Sequence, residues 1–233
     1  MLADASFDAA HQEAAQLLLK WDGQLSVDSA AGPLFALWQK ELLQELFERQ
    51  VPKEHVKVLN SLSGVSTALA ALEANDSRWL GEQASEQRQA IVGKSFERAV
   101  AKWQELQPPQ RSRWGALHQV TFRHPLASLG VVSAEMLNIG PFERPGEGNT
   151  PNNTRYDENF QQIHGASYRQ LFDLADWDRG LATNAPGQSG QPGSPHYQNL
   201  AEPWSRGEYF PLYYSRNKVE QATRERLELR PAQ

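Results

Sequence analysis

The sequence predicts a mixed α+β fold, helical over its first half and built of strands and loops over its second. Three observations carry that reading. Glycine and proline interrupt regular elements, and they are unevenly spread: residues 1–110 hold 5 Gly and 4 Pro, whereas residues 111–233 hold 11 and 10. Apolar residues in the first half recur at helical steps of three and four. In the second half, short apolar and aromatic runs lie between turn-forming clusters, as strands do. The same shift divides the chain into a mainly helical segment, 1–110, and a strand- and loop-rich segment with a C-terminal helix, 111–233.

Taken in order, Ala10, Ala14, Leu17, Leu18 and Trp21 define a first helix that Gly23 stops. Phe35, Trp38, Leu42 and Leu46 define a second, entered through Pro33. Val56, Leu59 and Leu62, followed by the run 65–72, suggest two shorter helices. Val92, Phe96, Ala99, Val100 and Trp103 make a third stripe, ended by Pro108-Pro109. Each stripe is read as a core-packing face rather than a docking face. Beyond 110, residues 168–174 read as a strand leading into an acidic turn at 176–180, with 181–185 as its hairpin partner. A short helix near 196–206 starts or kinks at Pro203, and 210–214 reads as an edge strand because Pro211 removes a ladder donor. Ser215 caps a last helix from Arg216 to about Leu227.

Composition removes several chemistries. The 233 residues include no cysteine, so there is no disulfide framework, thiolate nucleophile, Cys-ligated zinc or iron–sulfur cluster. A net charge of −5 and the lack of a Lys/Arg block argue against a nucleic-acid partner. The longest apolar runs fall far short of the ~20 residues of a membrane span, and the start of the chain has no apolar signal region.

Isolated motifs are weak. In the loop 145–154, Pro151 stands where a dinucleotide fingerprint needs a third Gly, and no Lys-Ser/Thr follows as a P-loop requires. Gly187-Gln-Ser-Gly190 lacks the glycine spacing of a nucleophile elbow, so Ser189 reads as a turn residue on Gly187 and Gly190 rather than a nucleophile. The six histidines include no i,i+4 pair, which disfavours zinc. Asp173, Asp176 and Asp178 could offer oxygens to calcium, but the 12-residue calcium-loop pattern is absent and a strand end with a solvated turn is the simpler reading. Two glycosylation sequons, at Asn75 and Asn152, are matches short enough to arise by chance.

Four stretches nevertheless stand in a fixed order. They are Trp114-Gly-Ala-Leu-His118 with His124-Pro-Leu126, then Gly146-Glu-Gly-Asn-Thr150, then His164-Gly-Ala-Ser-Tyr-Arg169 with Leu171-Phe-Asp173. The fourth is Asn184-Ala-Pro-Gly-Gln-Ser-Gly190 with Ser194-Pro-His-Tyr197, Trp204 and Phe210-Pro-Leu212. This order resembles the C-terminal part of the large β chain of the penicillin acylase family, which includes the acyl-homoserine-lactone and cephalosporin acylases. Residues 112–220 carry the resemblance most strongly, and residues 10–110 more loosely through Trp21-Asp-Gly23 and the helices that follow.

The resemblance implies an N-terminal nucleophile hydrolase with a four-layer αββα fold, of which both segments form parts of one incomplete domain. In such enzymes self-cleavage exposes a Ser, less often Cys or Thr, whose free α-amine (pKa ~8) serves as its base. A backbone N–H and an Asn side chain stabilise the tetrahedral intermediate. The expected reaction is hydrolysis of an acyl amide, either a β-lactam side chain or an N-acyl-homoserine lactone, through an acyl-enzyme. The present sequence opens Met1-Leu2, which offers no hydroxyl or thiol. The nucleophile, the oxyanion Asn and any calcium ligands are therefore expected in the α chain and the start of the β chain. That remaining part is the expected partner, the full-length enzyme is expected in the periplasm, and the chain alone is expected to be silent. No cofactor is assigned to this chain. Asp173, with Arg169 on the same strand face, is the supporting candidate for orienting a His near the nucleophile. A buried Asp173–Arg169 pair of purely structural value is the rival reading.

Overall fold

Asp8 opens the first helix in the computed structural model, which describes residues 7–61 and 64–231. Its carboxylate accepts the His11 N–H at 3.0 Å and so satisfies one of the donors that a helix start leaves orphaned. The chain divides into two compact units. The first runs to His118 and includes Pro145–Glu147 and Glu158–Gln161; the second comprises Gln119–Arg144, Gly148–Asp157 and the chain from Gln162 onward.

The first unit is helical: α1 (Ala9–Leu19), α2 (Gly32–Phe47), α3 (Lys53–Ser61), α4 (Gly64–Glu73), α5 (Ser77–Leu80), α6 (Ala84–Glu105) and α7 (Trp114–Leu117). Pro33 stands in the first turn of α2, where its missing N–H costs nothing. Leu34, Leu37, Leu42 and Leu46 of α2 are buried, as are Ile91, Val92, Phe96, Ala99 and Val100 of α6, and these two helices pack together. Phe35 and Trp38, placed on the core stripe of α2 by spacing, are only half-buried. Trp38 covers the edge of the core, meeting Phe96 edge-on at 5.7 Å and donating from Nε1 to Ser95 Oγ at 3.1 Å.

Two carboxylates break the apolar pattern of α2. Glu41 and Glu45 are buried and face bases of α6: Lys102 meets Glu41, while Lys94 and Arg98 each lie 3.0 Å from Glu45. Arg49, just beyond the end of α2, adds a third cation to Glu45 at 3.2 Å. The end of the unit is fixed by Trp114, whose backbone N–H bonds Ser29 O and whose indole bonds Gly146 O. Stacked against it, His118 bonds Phe160 O through Nδ1 at 2.8 Å.

The second unit holds two small antiparallel sheets. Strands β1 (Gln119–Phe122) and β2 (Ile139–Glu143) pair in the register Gln119↔Glu143 and Val120↔Phe142. Between them lie a 3-10 turn at Pro125–Leu129 and the one-turn α8 (Ala134–Leu137). The second sheet has the order β3-β4-β5, from Tyr168–Leu171, Leu181–Asn184 and Phe210–Pro211. Helix α9 (Ala201–Ser205) packs on β2 and β4, with Trp204 buried. Ser215 caps α10 (Arg216–Ala222) by accepting the Lys218 N–H.

Several expectations require adjustment. The hairpin and its edge strand are present, but β3 ends at Leu171 rather than 174, because Phe172 onward turns into the acidic loop. The helix expected near 196–206 is confined to Ala201–Ser205, and α10 ends at Ala222 where Thr223 turns extended. Strands β1 and β2 were not expected, since β2 carries both Gly140 and Pro141. Leu62 and the Met1-Leu2 start lie outside the described residues, as does the side chain of Ala10. No helix of the described residues is long and apolar enough to cross a membrane.

Candidate functional site

The second unit gathers the residues that sequence reasoning singled out. Pairing with β4 sets Arg169 opposite Thr183, and Leu171 opposite Leu181. Asp173 lies two residues beyond the strand, so alternation no longer places it with Arg169. Its carboxylate caps the turn by accepting the Ala175 N–H at 3.0 Å and pairs with Arg179 at 3.2 Å. Arg169 turns to a different neighbour, donating from Nη2 to Trp204 O at 2.6 Å. The expected Asp173–Arg169 pair is thus replaced by two separate contacts.

The acidic loop is spent on local structure. Asp176 caps the 3-10 turn Trp177–Arg179 by accepting the Asp178 N–H at 3.1 Å. Asp178 accepts the N–H groups of Tyr214 at 2.9 Å and Ser215 at 2.7 Å, tying the loop to the start of α10. Hydrogen bonds from the Ser215 side chain and backbone and the Tyr214 backbone, together with the Lys218 charge, hold this carboxyl below its usual range. Among the described residues, no group of three or more His, Cys, Asp or Glu side chains is placed to hold a metal ion.

Arg144, which sequence reasoning missed, is among the largest fully buried side chains of the described residues. It is 1% exposed and lies with its guanidinium 4.0 Å from the Trp204 ring centroid. Its Nε donates to Gln162 Oε1 at 3.1 Å, and Nη1 donates to the carbonyls of Trp204 and Ser205 at the C-terminal end of α9. Burial, with a smaller contribution from the Arg169 charge, brings its pKa down to about 10. Arg169 approaches the same indole at 5.4 Å and the Tyr209 ring at 5.6 Å. Trp204 closes the cluster by donating from Nε1 to Ala166 O at 3.0 Å. An isolated Arg after a Gly-Pro strand leaves no periodic signal, so only the fold reveals its burial.

The loop 186–190 contributes one wall of a groove of about 530 Å³, lined also by Phe122, His124, Leu137, Ile139 and Tyr197. Backbone N–H groups of Gln188 and Ser189 both bond His196 O, at 2.9 and 3.0 Å. A β-carbon on Gly187 would collide with the carbonyls of His196 and Tyr197, so this glycine is sterically required. Gly190 faces open space and has no such steric requirement. Ser189 Oγ accepts the Gln191 N–H at 3.1 Å, as a turn residue does; among the described residues no His or carboxylate bonds it.

Comparison with known proteins gives this arrangement its context. The whole chain matches the thermostable penicillin G acylase from Alcaligenes faecalis with a TM-score of 0.51 at 18% identity, covering 45% of that chain. Mixed helices and small antiparallel sheets in this likeness define the class: the fold is that of an N-terminal nucleophile hydrolase. A family model for penicillin amidase matches residues 1–221, and the chain belongs to the penicillin amidase family. Among its relatives, the penicillin acylase 2 proenzyme of Pseudomonas sp. (strain SE83) is 26% identical over 235 residues, or 95% of this chain and 29% of that protein. The acyl-homoserine lactone acylase QuiP of Pseudomonas syringae pv. tomato is 28% identical over 241 residues, or 94% and 28%. The chain thus spans under a third of the length of these two relatives.

Proposed function

We propose that the chain is the C-terminal portion of a penicillin-acylase-type amidohydrolase, cleaving an acyl amide through an acyl-enzyme whose nucleophile lies on the remaining portion. The observation that carries this reading is a family match over residues 1–221 of a chain that spans only 29% and 28% of two acylase relatives. The substrate class is a β-lactam side chain or an N-acyl-homoserine lactone, and the complete enzyme is periplasmic. Segments 1–110 and 111–233 belong to one domain that the remaining portion completes. Asp173 and Arg169 then act as supports rather than as reacting groups. Calcium, where the complete enzyme uses it, is held by residues of the other portion.

A gene region spanning the chain and its upstream frame tests the reading. Co-expression with the upstream-coded portion is expected to give turnover of a chromogenic phenylacetyl amide or a long-chain acyl-homoserine lactone, with none from the chain alone. An upstream frame closed by stop codons, with no separate gene for the missing portion, overturns it.

A second reading, a non-catalytic module that binds the missing portion, is favoured by one observation. The β3–β4–β5 sheet and its loop expose Leu171, Phe172, Leu174 and Trp177 to between 51% and 85%. Binding of the upstream-coded portion without turnover on either substrate selects it.

A further inference from the structure

A hollow of about 540 Å³ in the first unit is of a size that small ligands occupy. Glu13 and Lys20 line it from α1 and its end, Trp21 and Asp22 from the turn that follows, and Trp103 from the last turn of α6. Both indoles are fixed by their edges: Trp21 Nε1 donates to Gln24 O at 3.0 Å, and Trp103 Nε1 donates to Arg111 O at 2.8 Å. With the N–H spent, what each indole still offers a ligand is ring face, and ring faces attract cations. Trp103 already draws one, since the Arg111 guanidinium lies 5.9 Å from its ring centroid. Two carboxylates, Glu13 and Asp22, share the lining with one ammonium, Lys20, which leaves a negative charge in excess. None of the three is ion-paired among the described residues, and Asp22 uses only one oxygen, which accepts the Gln24 N–H at 2.9 Å. All three are exposed and the indoles are half-buried, so the hollow is open to a ligand from solvent.

We propose that this hollow binds a small organic ammonium ion, with its alkyl groups against the Trp21 and Trp103 rings and its charge balanced by Glu13 and Asp22. An alkylated ammonium spreads its charge over its alkyl groups, so ring faces replace part of its water at little cost. The carboxylates then supply the remaining attraction, and Lys20 opposes it. The site consists of residues of the first unit alone and does not depend on the amidohydrolase reading.

The experiment follows the Trp21 and Trp103 Nε1–Hε1 resonances of the nitrogen-15-labelled chain, assigned by through-bond experiments. Choline chloride is the probe. The controls are its neutral isostere, in which a tert-butyl group replaces trimethylammonium, and sodium chloride at matched ionic strength. Saturable movement of both resonances with choline is expected, with a Kd of about 1–10 mM and at least about tenfold weaker binding of the isostere. Glu13→Gln should weaken choline binding about threefold and Lys20→Gln should tighten it by about the same factor, since each removes one charge at an exposed position. Their exposure also keeps both variants close to the parent in stability. Equal binding of choline and its isostere overturns the proposal, as does either indole resonance staying still up to about 50 mM choline. So does a failure of the two variants to change affinity in opposite directions.

Discussion

A β-carbon at position 187 would lie 2.6 Å from Tyr197 O and closer still to His196 O, which the Gln188 and Ser189 N–H groups hold in place, and backbone cannot yield as the end of a flexible side chain can. Gly187→Ala is therefore expected to lower stability by about 1–3 kcal/mol, the usual range for forced overpacking. Gly190→Ala, with nothing within 4 Å, is expected to stay within about 0.5 kcal/mol of the parent. Urea melts of the pair check both, and equal effects at the two positions would refute the steric argument. At Arg144 the consequence is different in kind. Arg144→Met keeps the bulk but strips the donors from the Trp204 and Ser205 carbonyls and removes the cation from the indole. A loss of about 2–4 kcal/mol is expected in the same melts, from the Ser205 carbonyl left unsatisfied and the lost ring contact, since Trp204 O keeps the Arg169 and Gly207 donors. Neither Arg144 nor the placement of Asp173 was legible in the sequence. Asp173 shares a face with Arg169 only if the strand continues to 174, and β3 ends at Leu171.

Helices α2 and α6 show how far periodicity reaches and where it stops. Both were legible because their apolar residues recur at helical steps, and the β3–β4 hairpin because turn residues separate two apolar runs. Which face of α2 is buried was less legible, since Glu41 and Glu45 lie in the core face and look like solvent positions in sequence. They are tolerated because α6 supplies Lys94, Arg98 and Lys102. For Glu45, burial raises the pKa, but Lys94, Arg49 and Arg98 together outweigh it and hold the carboxyl below its ordinary 4.5. A depressed folded pKa means stability that is present above the unfolded value and is lost as pH falls through the folded one. Glu45→Gln is expected to cost about 1–2 kcal/mol at pH 7, a modest figure because its cations are partly exposed and regain water. The gap between variant and parent should close on acidification below about 4.5. Denaturation series at both pH values check this, and a gap that persists in acid would assign the effect to packing instead.

At the scale of the whole molecule, the second unit leaves apolar surface that its own residues do not cover. The sheet has two edges. β5 is only two residues long and one of them is Pro211, which donates no hydrogen bond; β3 runs four residues without proline or glycine. Leu171 and Leu181 face each other across the β3–β4 register and are 54% and 37% exposed, with Leu174 at 85% just beyond. An open edge beside exposed leucines is a template for another strand, supplied by the rest of the enzyme or, failing that, by a second copy. The purified chain is accordingly expected to self-associate with rising concentration. Leu171→Glu combined with Leu174→Glu should shift that association to at least tenfold higher concentration, because like charges would meet across any β3–β3 pairing. The melting temperature of dilute protein should move by no more than a few degrees, since both positions are mostly exposed. Sedimentation over a concentration series reads the association and a thermal melt reads the fold. A parent chain that stays monomeric throughout, or a double variant that associates unchanged, would remove β3 as the surface on which this portion meets its partner.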